Sequence, residues 1–317
     1  PMYLLWQNEP PQLSKPVLAQ DIAIHAHIAD SQYFRFAEGG WQGLILAKNV
    51  ADAQILMQKL HPDTLHAPNK DGALRHARNA IWAVPDPRNT DSETTKQLTV
   101  KQPIKMYPHK AFLDRFKPSK AKRSWNGAME LMRRGVATAQ PVAYFEKIGD
   151  NTLKQNFYIC EFVKADANIG RIFSAYSKGD YDYLGLNPES VYTQLAHYCH
   201  TIHSRGLHFR DLSGGNILVN VAANNSLSFS LIDTARIHAF NHGIRFNLRI
   251  ADLTRACHKL NWTGRQRFMQ IYLGFSGRQF TWQNRLQFQL YDIKVSLKRI
   301  IGRKGIKRLI KRLKGQT

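Results

Sequence analysis

Three polar side chains that could carry chemistry, Asp211, Asn216 and Asp233, lie in the stretches GLHFRDLSGGNILV (206–219) and SFSLIDTARI (228–237). A carboxylate beside an acceptor hydroxyl can take its proton, and this is the role we predict for Asp211. The side-chain oxygens of Asn216 and Asp233 are the hard ligands that Mg²⁺ prefers. A base and two metal ligands indicate phosphoryl transfer, in which a protein positions groups and neutralises the charge on the moving phosphoryl.

The spacing of these residues is typical of a catalytic loop. Asp211 and Asn216 are five positions apart, as in the Asp-x-x-x-x-Asn loop of protein-kinase-like phosphotransferases. The apolar runs Ile217–Val219 and Phe229–Ile232 predict two short strands joined by a polar turn, and this hairpin would return Asp233 to the side of Asn216. An ordinary hairpin with an Asx turn at each end is the alternative interpretation.

The elements around the loop are predicted from apolar periodicity. A helix is expected over Pro188–Ser204, with a Pro-Glu first turn and one apolar face, and it leads into the loop. Asp252 either anchors the loop from a following helix or lies on the surface in a first helical turn. Four histidines, at 197, 200, 203 and 208, lack the Cys or carboxylate partners of a zinc set, and we predict surface or packing roles for them.

A buried strand leading into a connector is predicted over Asn156–Val163 (NFYICEFV). If this is a nucleotide hinge, backbone groups from Glu161 to Val163 would face the adenine edge. A plain core strand fits the same residues equally well.

A second strand, Gln97–Met106, carries two lysines that could reach the α- and β-phosphates of a nucleotide as point charges. Lys101 follows Leu98-Thr99-Val100 and is our first choice, with Lys105 as the alternative. The chain has no G-x-G-x-x-G loop, so the turn ending at Gly72 is the candidate phosphate-covering turn.

The segment 116–146 carries a more specific pattern, FKPSKAKRSWNGAMELMRRGVATAQPVAYFE. Its basic Pro-Ser-Lys-Ala-x-Arg-x-Trp start, helix and Gly-Val-x-Thr-x-x-Pro end resemble the bacterial lipopolysaccharide kinase family, which includes Kdo kinases and core heptose kinases. The resemblance runs from about Leu98 to His258. It implies Lys101 as the phosphate lysine, Asp211 as the base, ATP and Mg²⁺ as cofactors, and a sugar of the lipopolysaccharide inner core as acceptor.

The chain departs from the kinase pattern at three places. Phe209 stands two residues before Asp211, where kinases usually have His. Asp233 is followed by Thr-Ala-Arg instead of Phe-Gly. Glu130 is the only carboxylate on the predicted helix of segment 116–146, and it lies late for a residue that should pair with the strand lysine.

The resemblance and the order of elements predict an α+β, two-lobed, protein-kinase-like fold with a small β-rich N-lobe and a larger, mainly helical C-lobe. We predict four segments: 1–60, an N-terminal extension or added N-lobe strands; 61–163, the N-lobe; 164–292, the C-lobe; and 293–317, a basic amphipathic tail.

The net charge of +22 is concentrated in two patches. Residues 101–134 contribute +8, and residues 293–317 contribute +10 with no acidic residue. The second patch, here called the basic tail, has apolar residues at mostly helical spacing, which favours an anionic inner-membrane surface. A basic helix packed on the C-lobe is the alternative, and nucleic acid is ranked lower because Trp and Tyr are not interleaved with the basic residues.

The composition indicates a compartment. The 317 residues include three isolated cysteines, which favour a reducing cytosol. No apolar run is long enough to cross a bilayer, and the first residues lack a leader pattern. The expected location is therefore cytoplasmic, peripheral on the inner face of the inner membrane.

Three functions follow. The first is an ATP-dependent lipopolysaccharide inner-core sugar kinase. The second is a kinase of another acceptor, either a small molecule or a protein. The third is a membrane-bound pseudokinase adaptor. Phe209, the missing Gly-rich loop and the late position of Glu130 favour it, and the intact Asp211, Asn216 and Asp233 oppose it.

Overall fold

The computed structural model describes residues 2–4, 31–89, 96–106, 112 and 114–301. The chain divides into two compact units. The first comprises residues up to Ala165 together with 230–241, and the second comprises 166–229 and the residues from 242 onward. A β-rich first unit and a mainly helical second unit confirm the predicted α+β fold class.

The first unit is built on an antiparallel sheet, to which the described residues contribute eight strands. These are β1 (Met2–Leu4), β2 (Gln32–Glu38), β3 (Trp41–Ala47), β4 (Arg75–His76), β5 (Asn79–Pro85), β6 (Gln97–Pro103), β7 (Pro141–Lys147) and β8 (Asn156–Glu161). Their order is β1-β2-β3-β7-β8-β6-β5-β4. Aromatic and β-branched residues fill β7 and β8, as expected for strands buried in the middle of a sheet.

Two helices of the first unit are α1 (Val50–Lys59) and α2 (Lys120–Arg133). Helix α2 begins after Ser119, whose Oγ accepts the Lys122 N–H at 3.1 Å. Its Trp125 ring packs against Tyr144 of the sheet, with 5.4 Å between ring centroids. Helix α2 therefore has a defined start and a fixed position on the sheet.

The returning segment 230–241 is tied to the rest of the first unit. The Leu231 N–H donates to the Ala137 carbonyl at 3.0 Å, and the Thr138 hydroxyl donates to the Leu231 carbonyl at 2.6 Å. The Thr234 hydroxyl donates to the Ser124 carbonyl on α2 at 2.6 Å. A Cβ at Gly127 would lie 2.1 Å from the Thr234 carbonyl oxygen, so this approach requires glycine.

The second unit holds the remaining helices. They are α3 (Ile169–Tyr176), α4 (Pro188–Ser204), α5 (Phe246–Ala256), α6 (Trp262–Gly274) and α7 (Trp282–Ile301). Helix α4 has the bounds predicted from sequence: Asn187 caps its first turn, and Pro188 occupies the first helical position. None of the helices in the described residues is long and apolar enough to cross a membrane.

Short strands complete the second unit. They are β9 (Ala167–Asn168), β10 (Leu207–His208) and β11 (Ile217–Val221). Strand β12 (Leu227–Leu231) begins in the second unit and ends in the returning segment of the first, which also contains β13 (His238–Ala239). The predicted hairpin is β11 and β12. Its turn is closed where the Ala222 N–H donates to the Ser226 carbonyl at 2.9 Å. Gln194 of α4 accepts the Leu227 N–H at 2.8 Å and holds the hairpin to the helix.

Candidate active site

The backbone of the loop that carries Asp211 is anchored by hydrogen bonds to Asp252. Asp252 is fully buried, and its two carboxylate oxygens accept the N–H groups of Phe209 at 2.7 Å and Arg210 at 2.9 Å. Arg210 has φ 59°, a left-handed conformation that is strained for a residue with a Cβ. Of the two interpretations of Asp252 from sequence, the loop anchor is therefore the one found.

Burial shifts the pKa values of two side chains next to the loop, Asp252 and His203. Burial raises the pKa of Asp252 to about 6, although the Phe209 N–H and the charge of Arg255 act in the opposite direction. Burial also holds the pKa of His203 well below its usual value, which favours the neutral form of its imidazole. The His203 Nδ1 is hydrogen-bonded to the Tyr272 hydroxyl at 2.8 Å, which gives it the packing role predicted for it.

The backbone carbonyl of Asp211 accepts two hydrogen bonds from within the loop. It accepts the Ser213 N–H at 2.6 Å and the Asn216 Nδ2 at 2.9 Å. The Asn216 N–H donates to the Ser213 carbonyl at 2.8 Å, which closes the turn. Because the Asn216 side-chain nitrogen is engaged by Asp211, its Oδ1 is the atom that could bind a cation.

In the first unit, Lys101 and Asp233 form an ion pair through the Lys101 Nζ and one carboxylate oxygen. Lys101 lies on β6, in register with Tyr158 on β8 and Ile81 on β5. Asp233 follows β12 with φ 63°, a left-handed conformation that Asp adopts more readily than most residues. Burial opposes ionisation of Asp233, but the charges of Lys101, Lys120 and Arg75 outweigh it and lower its pKa.

Further cations of the first unit act electrostatically on this site, and the sequence patterns do not reveal them. Lys120, the first residue of α2, donates to the Asn79 Oδ1 at the start of β5. Burial, followed by the charge of Lys101, lowers the pKa of Lys120 to about 8. The charges of Arg75 and Arg78 act on Asp233 and Lys120 respectively. We call Arg75, Arg78, Lys101 and Lys120 the cation cluster.

The short hairpin β4–β5 supplies half of this cluster. Its turn is Ala77-Arg78, where the Ala77 N–H donates to the Asn79 carbonyl at 3.0 Å. The Arg78 carbonyl accepts the N–H groups of Ile104 and Lys105 at 3.0 and 3.2 Å, so the turn is fixed against the end of β6. An arginine-bearing hairpin thus occupies the edge of the sheet beside β6.

The other lysine and the glycine predicted from sequence lie apart from the ion pair. Lys105 follows the end of β6 and its side chain is exposed. Gly72 ends a 3₁₀ turn, Lys70–Gly72, in which its N–H donates to the Asn69 carbonyl at 3.2 Å. Their predicted contact with phosphates stays a prediction.

The predicted hinge residues follow the end of β8. The Glu161 N–H donates to the Gln140 carbonyl at 2.9 Å and its side chain is exposed. Val163 is partly buried against the cluster that contains Trp125. Glu130 forms ion pairs with Arg133 and Arg134 on its own helix, whereas Lys101 pairs with Asp233.

The donor atoms fit the predicted cofactors. Mg²⁺ prefers hard oxygen ligands, and the Asp233 carboxylate and the Asn216 Oδ1 are of that kind. The charges of Lys101, Lys120 and Arg75 all act on the Asp233 carboxylate, so positive charge exceeds negative charge there and an added polyanion would be stabilised. Asp233 and the cation cluster therefore match metal and phosphate binding, Asn216 matches metal binding, and Asp211 matches proton removal.

Comparison with known proteins identifies a family. The lipopolysaccharide kinase (Kdo/WaaP) family matches residues 73–272, more than half of the chain. No curated protein sequence matches the chain.

Two solved structures resemble the chain. One, described as WaaP in complex with acyl carrier protein, is 17% identical, with a TM-score of 0.49 and coverage of 74% of this chain and 90% of that chain. The other is the Rio2 kinase–ADP/Mg²⁺–phosphoaspartate complex from Chaetomium thermophilum. It is 17% identical, with a TM-score of 0.41 and coverage of 87% of this chain and 84% of that chain.

Proposed function

Because the chain belongs to the lipopolysaccharide kinase (Kdo/WaaP) family, we propose that it is an ATP- and Mg²⁺-dependent kinase that phosphorylates a sugar hydroxyl of the lipopolysaccharide inner core. The observation that carries the proposal is the geometry of the Asp211 loop. Buried Asp252 accepts two loop N–H groups, and Asn216 donates to the Asp211 carbonyl at 2.9 Å. A loop fixed at both ends can hold a carboxylate where an acceptor hydroxyl must lose its proton.

The proposal gives each residue a role. Bound Mg·ATP would supply the phosphoryl group, with the cation balancing its oxygens. Asp211 takes the proton of the acceptor hydroxyl, and the oxygens of Asn216 and Asp233 hold the metal. Lys101 binds phosphate oxygens, and Arg75, Arg78 and Lys120 add positive charge to the same group.

We also propose that the protein acts in the cytoplasm, peripherally on the inner face of the inner membrane. The support is chemical: the basic tail has ten Lys or Arg residues and no acid, which suits an anionic lipid surface. The three cysteines are free and buried, which suits a reducing compartment.

The test is transfer of labelled phosphate from ATP to purified lipopolysaccharide inner-core acceptors, with wild type beside Asp211→Asn. Loss of a general base is expected to slow transfer by about a thousandfold. Asp180→Asn is the matched control, because Asp180 is an exposed aspartate of the same unit. The control should transfer phosphate at the wild-type rate.

The outcomes separate the three candidate functions. If no inner-core acceptor is phosphorylated but Mg·ATP still raises the unfolding temperature, the kinase stands and the acceptor is replaced. If the protein neither transfers phosphate nor binds nucleotide, the kinase proposal fails and a pseudokinase adaptor takes its place.

A further inference from the structure

Helix α7 has two apolar faces on opposite sides. Its inner face packs on the second unit, where Phe288 is 1% exposed and its ring centroid lies 6.4 Å from that of Trp262. The same face carries Asp292, which forms an ion pair with Arg265 and contacts His258 at 2.9 Å. These contacts fix how the helix is rotated about its axis.

The outer face is a stripe of large apolar side chains that the fold leaves exposed. Its members, here called the outer stripe, are Trp282, Leu286, Leu290, Ile293 and Leu297, with exposed fractions of 72, 44, 56, 54 and 48%. The steps of four, four, three and four residues place all five on one side of the helix. At 3.6 residues per turn the stripe is centred roughly 180° from the inner face and runs for about 22 Å.

The residues of α7 beside the stripe are neutral or positive. Gln283, Gln287 and Gln289 flank it, with Arg285 and Lys294 as its charged neighbours on α7. The acidic residue of the helix, Asp292, is already paired on the inner face. The basic tail begins within α7 at position 293 and continues beyond it without an acidic residue.

We infer that the outer stripe is a membrane-contact surface, on which α7 lies in the plane of an anionic bilayer. A helix with an exposed apolar face and basic residues beside it binds at the boundary between headgroups and acyl chains. Trp282, at the start of the stripe, is of the residue type enriched at that boundary. This inference rests on the proposed function and deepens it, because it names the surface and the partner.

The charge of the tail favours lipid over a second copy of the chain as the occupant. Two copies joined through this face would bring two tails of +10 each together, and like charges at that density repel. An anionic bilayer instead offers acyl chains to the stripe and negative headgroups to the tail. An anionic bilayer can therefore bind both the outer stripe and the basic tail.

The inner face of α7 also contacts helix α5, which carries Asp252, the anchor of the catalytic loop. Tyr291 has the Arg255 guanidinium 5.8 Å from its ring centroid. Burial raises the pKa of Tyr291, the charge of Arg255 opposes this rise, and the charges of Asp211 and Asp292 add to it. A membrane-bound α7 would therefore bring the second unit, which carries Asp211, to the surface of the bilayer.

The test uses the full chain and sedimentation with two kinds of vesicle: phosphatidylglycerol with phosphatidylethanolamine, and phosphatidylcholine alone. The variant is the triple substitution Leu286→Gln, Leu290→Gln and Leu297→Gln, which leaves charge and helix propensity almost unchanged. The matched control is Val50→Gln, Ile55→Gln and Ile148→Gln, three exposed aliphatic residues of the first unit.

We expect wild type and control to bind the anionic vesicles. The triple variant should bind about a hundredfold more weakly, because even one leucine buried in full changes an equilibrium constant by about ten- to a hundredfold. Raised salt should weaken wild-type binding without abolishing it, since the apolar contact is not screened. The thermal unfolding midpoints of the three proteins should agree, which excludes misfolding as the cause.

Equal binding by wild type and triple variant would overturn the inference, as would complete loss of wild-type binding in salt. A wild-type dimer that the triple substitution converts to a monomer, with no vesicle binding, would assign the stripe to a second copy. The shift in unfolding temperature with Mg·ATP, measured on the same samples, separates the two proposals. If that shift is present while vesicle binding fails, only the membrane surface is wrong.

Discussion

The two acidic residues with the clearest predicted roles are held by different forces. In the second unit, the Asp211 loop is held by neutral backbone donors on a fully buried carboxylate, at 2.7 and 2.9 Å. In the first unit, Asp233 is held by charge, with Lys101 in direct contact and Lys120 and Arg75 acting on it. One site is built from directional hydrogen bonds and the other from surplus positive charge.

This difference predicts that the two sites have different functions, one positioning a base and the other binding an anion. Hydrogen bonds from a rigid loop fix the position of a base, but they do not attract a ligand. A cluster with more cations than carboxylates is unfavourable when empty and is relieved by an anion. We therefore expect substitutions in the first unit to act mainly on nucleotide binding, and substitutions around Asp211 to act mainly on turnover.

The largest of these effects is expected for Lys101→Met. The substitution removes the cation that touches Asp233, so binding of the negatively charged phosphates should weaken. We predict that kcat/KM for ATP falls by about a hundred- to a thousandfold, since charged hydrogen bonds are worth roughly 1.5–3 kcal/mol each. Lys105→Met, an exposed lysine beyond the same strand, is the control. If kcat/KM instead falls for Lys105→Met and not for Lys101→Met, the phosphate lysine is Lys105.

Gly127→Ala tests whether the segment after Asp233 depends on helix α2. The added Cβ would lie 2.1 Å from the Thr234 carbonyl oxygen, so the segment must move away. We predict a loss of about 1–3 kcal/mol in the free energy of unfolding, as for other overpacked sites. Gly274→Ala is the matched helical control, with no atom within 4 Å of its Cβ, and should not destabilise. Equal unfolding curves for both variants would contradict this contact.

Asp252→Asn tests the hydrogen-bonded loop. The amide oxygen can still accept one loop N–H, so the predicted cost is about 1 kcal/mol at neutral pH, with a lower kcat.

The pH dependence of the same variant has a defined sign. The pKa of Asp252 is raised by burial to about 6, from 3.8. This carboxyl therefore contributes stability that is present below its unfolded pKa and is lost as the pH rises through about 6. The difference in free energy of unfolding, wild type minus variant, should fall between pH 4 and 7. A difference that does not change with pH would contradict the burial of this carboxyl.

Lys120→Met should have the smallest effect on activity, and it should raise the stability of the folded protein. Its pKa is lowered to about 8, mainly by burial and then by Lys101, so the folded protein carries an unfavourable charge. We predict about tenfold weaker Mg·ATP binding, the worth of one charged contact, together with a higher free energy of unfolding at pH 7. Calorimetry and urea unfolding measure the two quantities. Loss of both stability and binding would indicate a structural role instead.

The sequence predicts the helices and strands that are determined by local patterns. Helix α4 has its predicted bounds, and the strands on either side of the Ala222–Ser226 turn are present, because local apolar periodicity and caps determine them. The fold class follows from the same order of elements. The roles of Asp211, Asn216 and Asp233 stay predictions, although the structure gives each a defined partner or position.

The cation cluster could not be predicted in this way. Strand β4 has two residues and no apolar alternation, so the hairpin that carries Arg75 and Arg78 has no sequence signal. Lys120 is one of many lysines in a basic segment, and its burial depends on the packing of α2 over the sheet. The one local signal is Ser119, a helix cap that fixes Lys120 at the first helical position.

The most direct test of the central claim is a paired measurement on Asp211→Asn: Mg·ATP affinity by calorimetry and phosphate transfer from labelled ATP. We predict affinity within about threefold of wild type and transfer reduced by about a thousandfold, because this residue acts as the base and does not hold the nucleotide. Transfer at the wild-type rate by this variant would contradict the assignment of Asp211 and, with it, the proposed mechanism.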